Sequence, residues 1–173
     1  MSHARTKVIF IGAYTSLYVD GGMNKTTGKD AWGSVVYKED GKVNDAIGDY
    51  KDILDDLNLK NVILPAPCIE RKIVISNFSD VKTQQNNGAE LLAMLIALRI
   101  SKYNLLIKQI FSDSDLVIKY WSIGHYNATT VKDPKKVAYI NECMMLRKLF
   151  EKNGGKIVKI GGKENPADLG YHR

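Results

Sequence analysis

The stretch Gly88-Ala89-Glu90-Leu91-Leu92-Ala93-Met94-Leu95-Ile96-Ala97-Leu98-Arg99-Ile100-Ser101-Lys102-Tyr103, followed shortly by Ile107-Lys108-Gln109-Ile110-Phe111-Ser112, decides the fold. In the first part, Leu91, Leu92, Leu95, Ile96, Leu98 and Ile100 spread apolar residues round most of a helical circumference. That pattern predicts a helix over 88–103 buried on nearly all sides. The second part is a short apolar run and predicts a strand over 107–112. A strand reached through a helix favours a parallel crossover onto an existing sheet.

Upstream, residues 15–20 read as a strand ended by Gly21-Gly22, and residues 31–37 as its hairpin partner across a polar, Gly-containing loop. Residues 71–77, centred on Ile73-Val74-Ile75, make a third strand. Between them runs a long excursion, 38–70, with a short helix expected around 50–59 and a Pro65-Ala66-Pro67 break. The run 8–11 either extends the first strand or forms its own. Downstream come a helix over about 114–122, a polar basic stretch 126–136, a helix over 137–152 stopped by Asn153-Gly154-Gly155, and a strand over 156–160. The order predicts an α/β fold: a mixed five-stranded sheet flanked by helices, with an antiparallel meander of three strands and two further parallel strands. One domain is expected over 1–173, with an insertion at about 38–70.

Bulk properties narrow the function classes. The composition, 45% hydrophobic and 25% charged, is that of an ordinary globular protein and not a disordered one. No apolar run approaches the ~18–20 residues of a membrane span. Met1-Ser2-His3-Ala4-Arg5 lacks the apolar core of a signal peptide. Cys68 and Cys143 show neither metal-ligand spacing nor a framework of pairs, which favours a reducing, intracellular setting, cytoplasmic or nuclear. The net charge of +6 suits a nucleic-acid partner or a merely solvated basic surface.

Four carboxylates stand out. Asp20 closes the first strand, Glu90 opens the buried helix, Asp113 sits where the fourth strand meets its helix, and Asp168 follows Asn165-Pro166-Ala167. Each has a plain structural reading. Asp20 before two glycines starts a turn, Asn87 and Glu90 have capping-box spacing, Asp113 is an N-cap, and Asp168 follows an Asn cap with Pro at the first helical position. Taken together they say more. Asp20 and Asp113 both fall at C-terminal strand ends, the edge where such sheets bind ligands, and Glu90 can point into the same crevice. Carboxylates crowded there repel one another, and a hard divalent cation removes that penalty.

The residues also carry a resemblance. Tyr18-Val19-Asp20-Gly21-Gly22, Asn86-Asn87-Gly88-Ala89-Glu90-Leu91-Leu92-Ala93 and Phe111-Ser112-Asp113-Ser114-Asp115 resemble the type 1 ribonuclease H signatures, in that family's order. Glu164-Asn165-Pro166-Ala167-Asp168-Leu169 is similar to the closing motif in its retroelement-like form. The resemblance runs from about residue 15 to 169. It implies a ribonuclease H-like fold and an endonuclease that hydrolyses the RNA strand of RNA–DNA hybrids. Asp20, Glu90, Asp113 and Asp168 would hold two Mg²⁺ ions, with Mn²⁺ as a substitute, and the products would carry 5′-phosphate and 3′-hydroxyl ends. A monomer is expected, with the hybrid as partner and no membrane.

Sparing DNA requires groups that sense the 2′-hydroxyl. Gly21, Asn24, Asn86 and Asn87 are the candidates, with helix capping as the other reading of Asn87. Lys132, Lys135 and Lys136 fall where many relatives carry a basic protrusion that grips substrate, a solvated loop being the alternative. Trp121 either stacks on the DNA backbone or belongs to the core. The sequence departs from the family in three ways. The loop Ile160-Gly161-Gly162-Lys163-Glu164 holds no His, little of a closing helix follows Asp168, and the 38–70 excursion replaces a tight connection. Two other functions fit the same residues: a ribonuclease H-like module that binds nucleic acid or protein without cutting, and a DNA junction resolvase.

Overall fold

The computed structural model describes residues 14–23, 31–57, 60–63, 71–75 and 85–168. The run 8–11, Asn24, the Pro65-Ala66-Pro67 break, Cys68 and residues 169–173 lie outside them. In chain order the strands and α-helices are β1 Ser16–Met23, β2 Ala31–Glu39, β3 Lys42–Asp45, β4 Lys60–Ile63, β5 Arg71–Ile75, α1 Gln85–Tyr103, β6 Gln109–Ser112, α2 Asp115–Lys119, α3 Pro134–Lys152 and β7 Lys156–Lys159.

The sheet has the order β4-β5-β2-β1-β6-β7, with β3 also paired to β2. β1, β2 and β5 are antiparallel neighbours, while β6 runs parallel to β1 and β7 parallel to β6. The expected five strands are all present, and the excursion contributes two more. β4 pairs with β5 at the sheet's edge, and β3 folds back onto the second half of β2. Asp40 and Gly41, at φ 51° and 77°, make that reversal. Two successive left-handed residues give a tight hairpin turn whose twist matches the strands it joins. The helix expected around 50–59 is a pair of 3-10 turns, Ile47–Leu57, kinked at Tyr50. Asp45 starts it by accepting the N–H groups of Ile47 and Gly48 at 2.9 and 3.2 Å.

β1 does not stop at Asp20 but runs on through Gly21 and Gly22, which pair with Gly33 and Trp32 of β2. α1 begins at Gln85, three residues before the expected start. Residues 91–98 of α1 are all buried, with Leu17, Val19 and Val35 in the same core and Ile140, Cys143 and Phe150 supplied by α3. Arg99 breaks the apolar run and ties three elements together. Its guanidinium donates to both oxygens of Glu142 on α3 at 2.7 Å, to Asp56 at 2.8 and 3.1 Å, and to the Ile53 carbonyl at 2.9 Å. No described helix is long and apolar enough to cross a membrane.

Candidate metal centre

Because β1 and β6 are parallel, Asp20 late in β1 and Asp113 just past β6 come to the same edge of the sheet. Gly21 brings in the third carboxylate. A Cβ there would lie 2.4 Å from the backbone nitrogen of Glu90 and 2.6 Å from the carbonyl carbon of Ala89, so only glycine lets α1 settle directly on β1. One carboxylate oxygen from each of Asp20, Glu90 and Asp113 then lies within 4.8 Å of the other two. Asp168 lies outside this group of three. Its N–H donates to the Asn165 carbonyl at 3.0 Å, and its charge reaches Asp113.

Burial makes this crowding expensive. Asp20 is 4% exposed, and its Oδ2 is buried with no hydrogen-bond partner. Burial first, then the charges of Glu90 and Asp113, push the Asp20 carboxyl up to about 9. Burial and Asp113 push Glu90 up to about 7, against hydrogen bonds from Asp20, Ser114 and the Gly21 backbone. Asp113 is also raised, chiefly by burial, while the Lys159 ammonium and a hydrogen bond from Asn165 pull it down. Without a cation the three groups cannot all be charged at neutral pH. The donor set is all carboxylate oxygen, one oxygen is unpartnered, and the site is compact. Those are the requirements of a hard divalent cation.

The structural readings of the four carboxylates fare differently. Asp113 is not the N-cap of α2. Ser114 is, accepting the Val117 N–H at 3.2 Å. Asn87 and Glu90 lie inside α1, which begins at Gln85, so they do not form a capping box. Asp20 starts no turn, since β1 continues past it. Asn165 caps a turn and not a helix: its Oδ1 accepts the Ala167 N–H at 3.0 Å, and residues 165–168 are not helical.

Asn86 and Asn87 occupy the first turn of α1, four and three residues before Glu90, and so lie on its side of the helix. Asn86 is exposed and Asn87 half-buried. Lys132 and Lys135 are exposed. Lys136 is not a surface lysine. Asp133 caps α3 and Pro134 opens it, which turns Lys136 inward until it is fully buried, with its ammonium 5.8 Å from the Trp121 ring centre. Trp121 is itself 2% exposed and belongs to the core.

Sequence reasoning assigned no role at the site to Ser114, Lys159 or Ser34, and gave Asn165 only a capping one. Ser114 lies close enough to Glu90 to pull its carboxyl down. Lys159 donates to the Asp113 carbonyl at 2.8 Å and pairs with Asp115 at 3.2 Å. Its signal was present, since a lysine at the end of the strand after β6 must lie beside β6's end, and it pairs with Ser112. Ser34, opposite Asp20 in the β1–β2 register, donates to the Ala167 carbonyl at 2.6 Å. Asn165 donates to the Val19 carbonyl at 2.8 Å.

No protein-family model matches the chain, and no curated protein does. Among solved structures, the crystal structure of RNase H1 from the halophilic archaeon Halobacterium salinarum NRC-1 is similar, with 18% identity and a TM-score of 0.45 over 88% of this chain and 89% of that one. The ribonuclease H-like arrangement expected from the sequence is the one the chain adopts: three antiparallel strands, then two parallel ones, in the order β5-β2-β1-β6-β7.

Proposed function

We propose that the chain is a metal-dependent nuclease that hydrolyses the RNA strand of RNA–DNA hybrids. A single observation carries this reading. The carboxylates of three separate motifs, Asp20, Glu90 and Asp113, converge within 4.8 Å at the strand ends, leaving a buried Asp20 oxygen without a partner. Asp20, Glu90, Asp113 and Asp168 are the residues that would hold a pair of Mg²⁺ ions, with Mn²⁺ as a substitute. Bound there, divalent ions supply Lewis-acid stabilisation of a phosphate and a water of lowered pKa, the chemistry of hydrolysis to 5′-phosphate and 3′-hydroxyl ends.

The chain's own residues divide the remaining work. Gly21 sets the distance between β1 and Glu90, and its backbone hydrogen bonds favour the charged forms of Asp20 and Glu90. Lys159 offsets the charge of Asp113 from outside the cluster. Asn86 and Asn87, on the Glu90 side of α1, offer amides that both donate to and accept from a 2′-hydroxyl, as discrimination of RNA requires. Lys132 and Lys135 remain as exposed phosphate partners, a role closed to Lys136 by its burial.

The test is incubation of a labelled hybrid with Mg²⁺, Mn²⁺ or EDTA, alongside duplex and branched DNA. Cleavage confined to the RNA strand and dependent on the cation is expected. Cutting of branched DNA alone would point to a resolvase, and binding without cutting to a silent module. Asp113→Asn keeps the shape and removes a ligand charge, so cleavage should fall by at least about a hundredfold, on the scale of removing a group that stabilises transition-state charge. Hybrid affinity should hold. Cleavage within a few-fold of the unsubstituted chain would sink the role of Asp113.

A further inference from the structure

The turn that carries Asp168 has little regular structure to hold it. Between β7 and Asp168 the only helical piece among the described residues is the three-residue 3-10 turn Gly162–Glu164. Yet Asp168 must be fixed to matter. Asn165, which is 4% exposed, ties it down through both ends of its amide and through its backbone. Its Nδ2 donates to the carbonyl of Val19, the residue before Asp20, and its side chain lies close enough to Asp113 to pull that carboxyl down. Oδ1 accepts the Ala167 N–H, the Asn165 carbonyl accepts the Asp168 N–H, and the Asn165 N–H donates to the Gly162 carbonyl at 3.3 Å. Fully buried Ser34 adds a second tie through the Ala167 carbonyl.

We propose that Asn165 is the positioning residue of the metal centre: one side-chain amide joins β1 beside Asp20 to the closing turn, and so fixes Asp168 against the other three carboxylates. The inference rests on the cluster being the metal centre of the proposed nuclease. Asn suits the place chemically. The position needs a donor and an acceptor, which an amide supplies, whereas a carboxylate of the same shape would face the Val19 carbonyl with no proton to offer and would add a charge near Asp113.

The experiment compares Mn²⁺ binding by calorimetry for the full chain, Asn165→Ala, Asp168→Asn and the double variant, with Mg²⁺-dependent hybrid cleavage measured in parallel. Loss of a group that orients ligands typically weakens metal binding by about 10–100-fold. Asn165→Ala is therefore expected to weaken Mn²⁺ binding by at least about tenfold and to raise the Mg²⁺ needed for half-maximal cleavage similarly, leaving KM for the hybrid within about twofold. Because Asn165 acts through Asp168, the double variant should bind Mn²⁺ no more weakly than Asp168→Asn alone. A residue that merely stabilises the fold would add its loss to that of Asp168→Asn. Additive losses, or Mn²⁺ binding by Asn165→Ala equal to the unsubstituted chain, overturn the inference. Failure of the unsubstituted chain to bind Mn²⁺ at all is a distinct result, and it removes the metal-centre reading along with this one. Should Asn165→Ala not fold, Asn165→Ser, which retains an acceptor for the Ala167 N–H, is judged by the same criteria.

Discussion

At Gly21 the site depends on the absence of one carbon. The atoms a Cβ would strike belong to the backbone of Ala89 and Glu90, which cannot rotate aside as a side chain can. Gly21→Ala must therefore push α1 off β1 or bend β1 away, and either movement separates Glu90 from Asp20. Overpacking of this kind destabilises by about 1–3 kcal/mol, so the variant should fold with a lowered urea midpoint. Its cleavage should fall by far more than the small loss of folded protein accounts for, because the carboxylates no longer meet around a cation. Gly22 makes a useful contrast. A Cβ there would lie 2.6 Å from the Trp32 ring, a side-chain obstacle and not the backbone of α1. Gly21→Ala with full cleavage would show that the close approach of β1 and α1 is incidental to the chemistry.

α1 organises the molecule at the scale of elements, since it meets β1 and β2, α3 and the 3-10 turns of the insertion. Arg99 is a charged tie of this helix, linking Asp56 of the insertion to Glu142 of α3. The Asp56 side chain is 68% exposed and that of Glu142 36%, so solvent screens these pairs. Arg99→Ala should then cost only about 1–2 kcal/mol in urea unfolding, most of it from the carbonyl and carboxylate left unpaired. Glu90 lies nine residues up the same helix, roughly 13 Å away at 1.5 Å per residue, so cleavage should stay within about twofold. A large loss of cleavage without loss of stability would instead connect the insertion to the site. The same helix shows what the sequence made legible. The apolar wrapping of 91–100 and the short run at 107–112 are strong local patterns, and from them the parallel half of the sheet followed. β3 and β4 were not legible, because Lys-Val-Asn-Asp and Lys-Asn-Val-Ile alternate poorly and become strands only by pairing with β2 and β5. The carboxylates announced themselves through their motifs. Lys136 misled because a lysine in a basic run reads as surface, and its burial against Trp121 is a tertiary fact. The tie of Asn165 to β1 stayed hidden for the same reason, since its partner Val19 is 146 positions away.

Across the whole molecule the site makes stability depend on pH in a direction opposite to that of ordinary ion-paired carboxylates. Asp20 rises from 3.8 unfolded to about 9 folded, and Glu90 from 4.5 to about 7. A folded-state pKa above the unfolded one means that the native protein holds more protons between those values. Stability from these groups is therefore complete at the low end and is lost as pH rises from about 4 towards about 9. In EDTA the melting temperature should fall between about pH 5.5 and pH 8, and Asp20→Asn, which removes the largest shift, should flatten that slope. A divalent cation reverses the picture, because it binds the deprotonated carboxylates. The gain in melting temperature from Mg²⁺ should be small at the lower pH and large at the higher one, reaching roughly 2.7 kcal/mol of stability once the free ion stands at a hundred times its Kd. Asp20→Asn should lose most of that gain while melting at or above the unsubstituted chain in EDTA, since it relieves repulsion at a place built for binding and not for stability. The capping and turn readings of these carboxylates predict neither the metal effect nor its growth with pH. A metal-free melting temperature that climbs from pH 5.5 to 8, with no response to Mg²⁺ at either end, would mean that the four carboxylates do not act as one site.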